Sequence, residues 1–282
     1  MKVNFYNRQL VKSYLVHIGV ISAFATLFCT FSKIPDDWVY AGPLFVLFLV
    51  VYFFGMIVYA NKMTSVEFRI DDTKIKITAG DIFEQEGLKV IAFNEYFDTL
   101  VDDKIIAHKS LNGIFINRMK TNGISSLQWN VLELDRYIEE YEFDDDVILD
   151  KNDKRKNGKK QKYKIGSMVV CEDFVLAAFS KFNESNNAVL TMPEYLEFLI
   201  SFWDRINRVY AQRSVSVPVF GSGITRIVEH KSITDEDLLK IMIWTFRISE
   251  KRFKHPAKLN IVILKDKIKL INLFEIKKSY GL

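Results

Sequence analysis

The chain has 282 residues, with 39 Lys and Arg set against 35 Asp and Glu, for a formal net charge of +4. A balance this small and this mixed in sign gives no argument for a nucleic-acid partner. Two cysteines without a spacing partner and four scattered histidines exclude a disulfide framework and a zinc site, so no metal centre is expected.

Two apolar runs open the chain. Tyr14 to Phe31 has 18 residues and Val39 to Ala60 has 22, and neither run holds a charged side chain. A bilayer core about 30 Å thick takes roughly 20 helical residues, so each run is long enough to span it. Between them SKIPDDW carries Pro35, Asp36 and Asp37, which suits a tight turn at one membrane face. A signal peptide would have a shorter apolar core and a small-residue cleavage site. A helix in a soluble protein seldom stays apolar all round. Residues 1–61 are therefore expected to form a transmembrane hairpin. Lys2, Arg8 and Lys12 precede the first span without an acidic residue, and Lys62 and Arg69 follow the second. The positive-inside rule then places both termini, and the rest of the chain, on the cytoplasmic side of the inner membrane. His17 in the first span reads either as a side chain bonded to a neighbouring helix or as a proton relay.

Residues 62–282 are expected to form one α/β domain. VEFRI from Val66 and KIKIT after it alternate with period two, and Asp71-Asp72 marks a hairpin turn between them. KVIAF follows as a strand. Ile105-Ile106 and GIFIN at 113–117 read as short strand or loop, and 131–142 stays open between helix and strand. The run 151–164 holds eight Lys or Arg in 14 residues. It suits a solvated, mobile hairpin tip or a segment drawn to anionic lipid. Met168 to Phe179 reads as a strand and Met192 to Arg213 as an amphipathic helix with Pro193 in its first turn. The strand SVSVPVF, a glycine-bearing loop, a helix from Thr234 to Lys254 and a strand at 259–264 come next, and IKLINLFEI closes the pattern. Strands alternating with helices predict a mixed sheet flanked by helices.

Two places could carry chemistry. One is Gly80-Asp81-Ile82, after KIKIT and before KVIAF, with Phe93-Asn94-Glu95 beyond. The other is VPVFGSGITRI at 217–227, a strand running into Gly221-Ser222-Gly223. Glycines there permit positive φ and let successive N–H groups approach an anion. Ser222 and Thr225 add hydroxyls, and Arg226 a cationic phosphate partner. No Gly-Lys-Ser/Thr follows, so this is not a Walker A loop; the third glycine of a dinucleotide fingerprint is missing. On spacing alone the loop is compatible with a plain turn or a phosphate cradle. No G-x-S-x-G nucleophile elbow is present.

Taken together, a strand ending in G-D-I, an apolar strand leading to Asn, and a late strand-P-x-x-G-S-G-I loop resemble the order found in macro domains. The stretch VIAFNEYFDTLVDDKIIAHKSLNGIFI resembles the divergent macro domain of Thoeris antiphage effectors, some of which carry two transmembrane helices ahead of it. The resemblance implies that Asp81 and Ile82 form the adenine-side motif and that Gly221, Ser222, Gly223, Ile224 and Thr225 wrap a diphosphate. It places Asn94 near the family's strand-end asparagines. The glycine-rich run of hydrolytic members is absent, and Asp98-Thr99 and Ser110–Gly113 stand in its place. Binding without catalysis is therefore expected. The function implied is that of a membrane effector: an ADP-ribose derivative made by a partner TIR-domain enzyme binds, copies oligomerise, and the hairpin disrupts the membrane. No cofactor is implied. A membrane-tethered ADP-ribosyl hydrolase and a non-enzymatic scaffold are the alternatives.

Overall fold

A computed structural model describes residues 3–32, 40–121, 130–144, 146–228, 230, 232–249, 253 and 257–280. Two long helices come first, α1 (Arg8–Phe31) and α2 (Ala41–Lys62). The turn expected between them lies, apart from Ser32, outside the described residues. Both helices are long and apolar enough to cross a membrane, and their large apolar side chains, among them Phe24, Phe28, Leu47 and Val51, are exposed rather than packed in a core. They hold each other by polar contacts as well. The Tyr14 hydroxyl donates to the Leu49 carbonyl at 2.9 Å, and His17 Nδ1 lies 2.7 Å from the Tyr52 hydroxyl. Of the two readings of His17, the contact to a neighbouring helix is the one seen.

The domain that follows is built on strands β1 (Ser65–Ile70), β2 (Thr73–Ala79), β3 (Leu88–Asn94), β4 (Ile148–Leu149), β5 (Lys162–Tyr163), β6 (Met168–Cys171), β7 (Phe174–Phe182), β8 (Ala188–Leu190), β9 (Val215–Pro218), β10 (Arg226–Ile227) and β11 (Lys258–Ile263). The main sheet runs β1-β2-β11-β9-β3-β7-β8-β10, with β6 also paired to β7. Strands β2, β11, β9, β3 and β7 are mutually parallel, while β1, β6 and β8 join antiparallel. The sheet is thus mixed, as expected. Its central strand β3 (LKVIAFN) is buried on both faces, apart from partly buried Ala92. Such a continuous apolar run suits a parallel strand covered by helices on each side.

Helices α3 (Leu111–Lys120) and α4 (Val131–Glu140) cover one face; α5 (Met192–Val209), α6 (Asp235–Ile248) and α7 (Leu273–Tyr280) cover the other. Their starts follow the capping rules. Thr191 with Glu194 and Thr234 with Asp237 form capping boxes at α5 and α6, and Asn130 with Glu133 does so at α4.

Several local expectations give way to the packing. GIFIN lies inside helix α3, not a strand: Ser110 caps it, and Phe115, Ile116 and Met119 bury against the sheet. Gly113 is required there, since a Cβ would stand 2.2 Å from the Ala107 carbonyl oxygen. The ambiguous 131–142 segment is helical over α4. Met168–Phe179 is a hairpin and not one strand, because the chain reverses at Glu172, whose φ is +51°. Helix α5 stops at Val209, where Ala211 and Gln212 take positive φ. The closing IKLINLFEI splits into a 3-10 turn (Ile268–Leu270) and the start of α7.

The basic run 151–164 forms most of the hairpin between β4 and β5 and is largely exposed, as expected of a solvated tip, but ion pairs tie it to the rest of the domain. Arg155 makes a bidentate contact to Asp98, at 3.0 and 2.7 Å, with side-chain exposures of only 6% and 1%. Lys159 pairs with Asp135, Lys162 with Glu95 and Lys164 with Asp146. Cys171 is buried, and burial pushes its thiol up to about 12, which makes it an inert core residue.

Candidate functional site

The parallel strands all end at the same edge of the sheet, and the loops leaving them enclose a cleft of about 900 Å³. Ligands of open α/β sheets bind at this edge, beyond the carboxyl ends of the strands. The volume falls within the usual 300–1,000 Å³ of small-molecule sites. Gly80, Asp81 and Ile82 from the end of β2, Asn94 from β3 and Gly221, Ser222, Gly223, Ile224 and Thr225 beyond β9 all line it. Two segments far apart in sequence are therefore brought to face one space. Arg226 begins β10, and its side chain lies outside the described part of the structure.

On the first wall, Asp81 precedes a 3-10 turn (Ile82–Glu84), and its Oδ1 accepts the Phe83 amide at 3.0 Å. Its other oxygen accepts from Arg118 of α3 at 2.8 Å. The Arg118 guanidinium lies 4.1 Å over the Phe83 ring, a stacked cation on an aromatic face. Asp81 is thus held in place with lone pairs still available to a donor in the cleft. Arg118 and Phe83 were not legible as site residues, because the pairing spans 37 positions and no motif marks it.

The opposite wall is the glycine loop. Gly221 has φ +81°, the conformation that favours glycine, and a Cβ there would touch Leu238 Cδ1 at 3.4 Å. Gly223 differs from expectation: its φ is not positive and a Cβ would meet nothing within 4 Å. Its value is openness toward the cleft, not an unusual backbone. Among the described residues, the amides of Gly223, Ile224 and Thr225 donate to no protein acceptor. Consecutive amides of this kind form an anion-binding concavity.

The loop is braced from below and from the side. The Tyr195 hydroxyl, fully buried, donates to the Phe220 carbonyl at 3.1 Å, and burial raises its pKa far above the ordinary phenol. Lys267 donates to the Ser222 carbonyl and pairs with Asp235 at 3.0 Å. At the third side, the Asn94 Oδ1 accepts the Tyr96 amide at 2.9 Å and its Nδ2 donates to Asp98 at 3.0 Å. Its amide is committed to the turn after β3, and what it offers the cleft is position. Ser110 and Asn112, at the N-terminus of α3, complete the rim with Lys104 and Lys109. In the loop before them, hydrogen bonds from the Ile105 and Lys104 amides hold the Asp102 carboxyl below its ordinary value. The order these bonds give the loop is complete above pH about 4 and is lost as acid protonates the carboxyl below it.

Replacing Asp81 with alanine removes the acceptor and leaves Arg118 without its partner. Both side chains are about a third exposed, at 35% and 38%, so the pair adds little to folding. We expect a stability loss of about 1 kcal/mol from the lost cap and, on the adenine-side role that the resemblance implies for Asp81, a loss of about 1.5–3 kcal/mol in ADP-ribose binding. Thermal melting and calorimetry on one sample measure both. Unchanged affinity in a folded Asp81→Ala protein would refute the adenine-side assignment.

Comparison with known proteins identifies the family. Residues 75–264 match the family model described as "Thoeris protein ThsA, Macro domain". The chain is 40% identical over 222 residues to the Thoeris protein ThsA of Bacillus amyloliquefaciens (strain Y2), across 77% of this chain and 71% of that one. Among solved structures, a macrodomain of Oceanobacillus iheyensis with ADP aligns at 14% identity and a TM-score of 0.41, covering 77% of this chain and 96% of that chain. A mutant of the same macrodomain with ADPR aligns at 14% identity and TM-score 0.41, covering 77% and 98%. The family model and the close relative are sufficient by themselves: the chain belongs to the ThsA macro-domain family of Thoeris proteins.

Proposed function

We propose that this protein is an antiphage-defence effector whose cytoplasmic macro domain binds an ADP-ribose-derived signal made by a partner TIR-domain enzyme, and whose hairpin then disrupts the membrane. The observation that carries the ligand half is the cleft itself. It brings the Asp81 carboxylate and a loop of amides without protein acceptors to one space, a combination of acceptor and anion cradle that suits a nucleotide with a diphosphate. The membrane half is supported by α1 and α2, whose large apolar side chains are mostly exposed, and by flanking basic residues that favour a cytoplasmic domain. Binding, and not hydrolysis, is the role in this reading, because the Asn94 amide is engaged within its own turn. Asp81, Ile82 and the loop Gly221–Thr225 are assigned to the ligand, with Arg226 beside them.

A ligand moves an equilibrium only by its differential affinity for the two states. Here the two states are separate copies and an oligomer in which hairpins meet in the bilayer. The test is calorimetry of the full-length protein in detergent with ADP-ribose, together with size measurement before and after addition. Binding with growth in assembly size is expected. Turnover of an ADP-ribosylated protein would instead assign a hydrolase, and no binding would leave a scaffold.

Deleting residues 1–61 separates input from output. The cleft lies wholly downstream, so the fragment should bind ADP-ribose as the whole protein does. Phe274, which packs against the hairpin base, becomes exposed. The fragment should have no toxicity in cells, since among the described residues no helix outside α1 and α2 is long and apolar enough to span a bilayer. Toxicity retained by the fragment would remove the hairpin from the mechanism.

A further inference from the structure

The cleft and the hairpin are joined by one short stretch of chain. After β11 the backbone turns over the glycine loop, where Lys267 donates to the Ser222 carbonyl and pairs with Asp235 of α6 at 3.0 Å. The chain then passes through the 3-10 turn (Ile268–Leu270) and fully buried Ile271 to Asn272. Asn272 caps α7: its Oδ1 accepts the Glu275 amide at 3.1 Å, and its own amide donates to Glu236 at 2.7 Å. Lys240 bridges Glu236 and Glu275, at 2.7 and 3.4 Å, and so binds α7 to α6 a second time.

Helix α7 has two buried faces. Leu273 and Ile276 belong to the domain core, while Phe274 packs with Val3, Leu10, Ile57 and Ala60 at the base of the hairpin. That base is itself closed by Asn61, whose side chain accepts the Val3 amide at 3.1 Å and donates to the Val3 carbonyl at 3.0 Å. From the glycine loop to the first turn of α1 the contacts are continuous. Packed groups of this density transmit a displacement and do not absorb it.

We propose that Lys267 is a positioning residue that latches the glycine loop to the turn carrying α7, so that the shape of the loop sets the seat of α7 against the hairpin base. Lys267 and Asp235 line the same cleft as the glycine loop, and the Ser222 carbonyl that Lys267 holds shares one peptide unit with the Gly223 amide. An anion drawn to the Gly223 amide therefore acts on the one peptide unit whose carbonyl Lys267 holds. The proposal rests on the assignment of this cleft to the ligand, which supplies the force, but the latch can be judged without any ligand present.

Hydrogen exchange read by mass spectrometry on the full-length protein in detergent provides the test. In ligand-free Lys267→Ala, the Ser222 amide within 219–225, which donates to the Val219 carbonyl at 3.2 Å, and the amides at 273–280 should both exchange at least about tenfold faster, which matches a local opening eased by some 1.4 kcal/mol. Strand β3 should keep its wild-type protection, which separates release of the latch from general unfolding. Lys267→Arg, still able to donate to Ser222 and pair with Asp235, should restore both segments. Asp235→Asn, which keeps volume but removes the ion pair, should give the same two changes in smaller measure. Faster exchange confined to 219–225 would overturn the link to α7, and unchanged exchange at both would overturn the latch. With ADP-ribose added to wild type, protection should rise at 219–225 and change at 273–280. If ADP-ribose changes neither, the ligand assignment fails while the ligand-free comparison still decides the latch.

Discussion

Asp98→Ala should destabilise the domain by about 3–5 kcal/mol, the usual consequence of removing one member of a buried ion pair. The Asp98 carboxylate receives both Arg155 nitrogens, the Asn94 side-chain amide at 3.0 Å and the Lys159 backbone amide at 2.8 Å. With the carboxylate gone, the guanidinium stays almost wholly buried, stacked 4.0 Å from the Tyr96 ring, and has no counter-charge. The cost comes from that stranded charge more than from the lost attraction. Asp98→Asn should lose less, since its side-chain oxygen can still accept a hydrogen bond from Arg155. Denaturant titration followed by tryptophan fluorescence measures the difference, and limited proteolysis should then cut within 151–160. A loss below about 1 kcal/mol would mean that solvent already screens the pair, and the basic run would revert to a mobile tip.

Gly223→Glu should abolish ADP-ribose binding and leave folding nearly unchanged. A Cβ at this position meets nothing within 4 Å and the residue is exposed, so the folded state has room for the side chain. Surface changes of that kind usually stay within about 0.5 kcal/mol. In the cleft the new carboxylate stands beside the amides of Ile224 and Thr225, where a diphosphate would be drawn. Two like charges about 4 Å apart oppose each other by about 4 kcal/mol at an effective dielectric constant near 20, or close to a thousandfold in affinity. Gly223→Ala should bind almost as wild type, whereas Gly221→Ala should strain the backbone at φ +81°. Calorimetry on the three variants gives the order. Wild-type affinity in Gly223→Glu would make the loop a structural turn.

Much of the molecule is legible in its amino-acid sequence. The two apolar runs, the period-two strands with their Asp71-Asp72 turn, the start of α5 marked by Pro193 and the glycine loop are all written in neighbouring residues. Each depends on interactions within a few positions, where side-chain type and spacing determine backbone preference. That is also why Asp81 and Gly221–Thr225 could be named as a pair through resemblance, although 140 positions separate Asp81 from Gly221.

What local pattern left open was settled by contacts between distant segments. GIFIN is apolar enough for a strand, and becomes a helix because Phe115, Ile116 and Met119 find the sheet on one side. Its eight Lys and Arg made 151–164 look like a free basic arm, and the acceptors that tie it down, Asp98, Asp135 and Glu95, come from other elements. Arg118 against Asp81, Lys267 against Ser222 and Phe274 against the hairpin base have no sequence signature at all. A charge or a carbonyl does not select its partner by position in the chain; the parallel sheet brings the loop ends together, and only then are the partners defined.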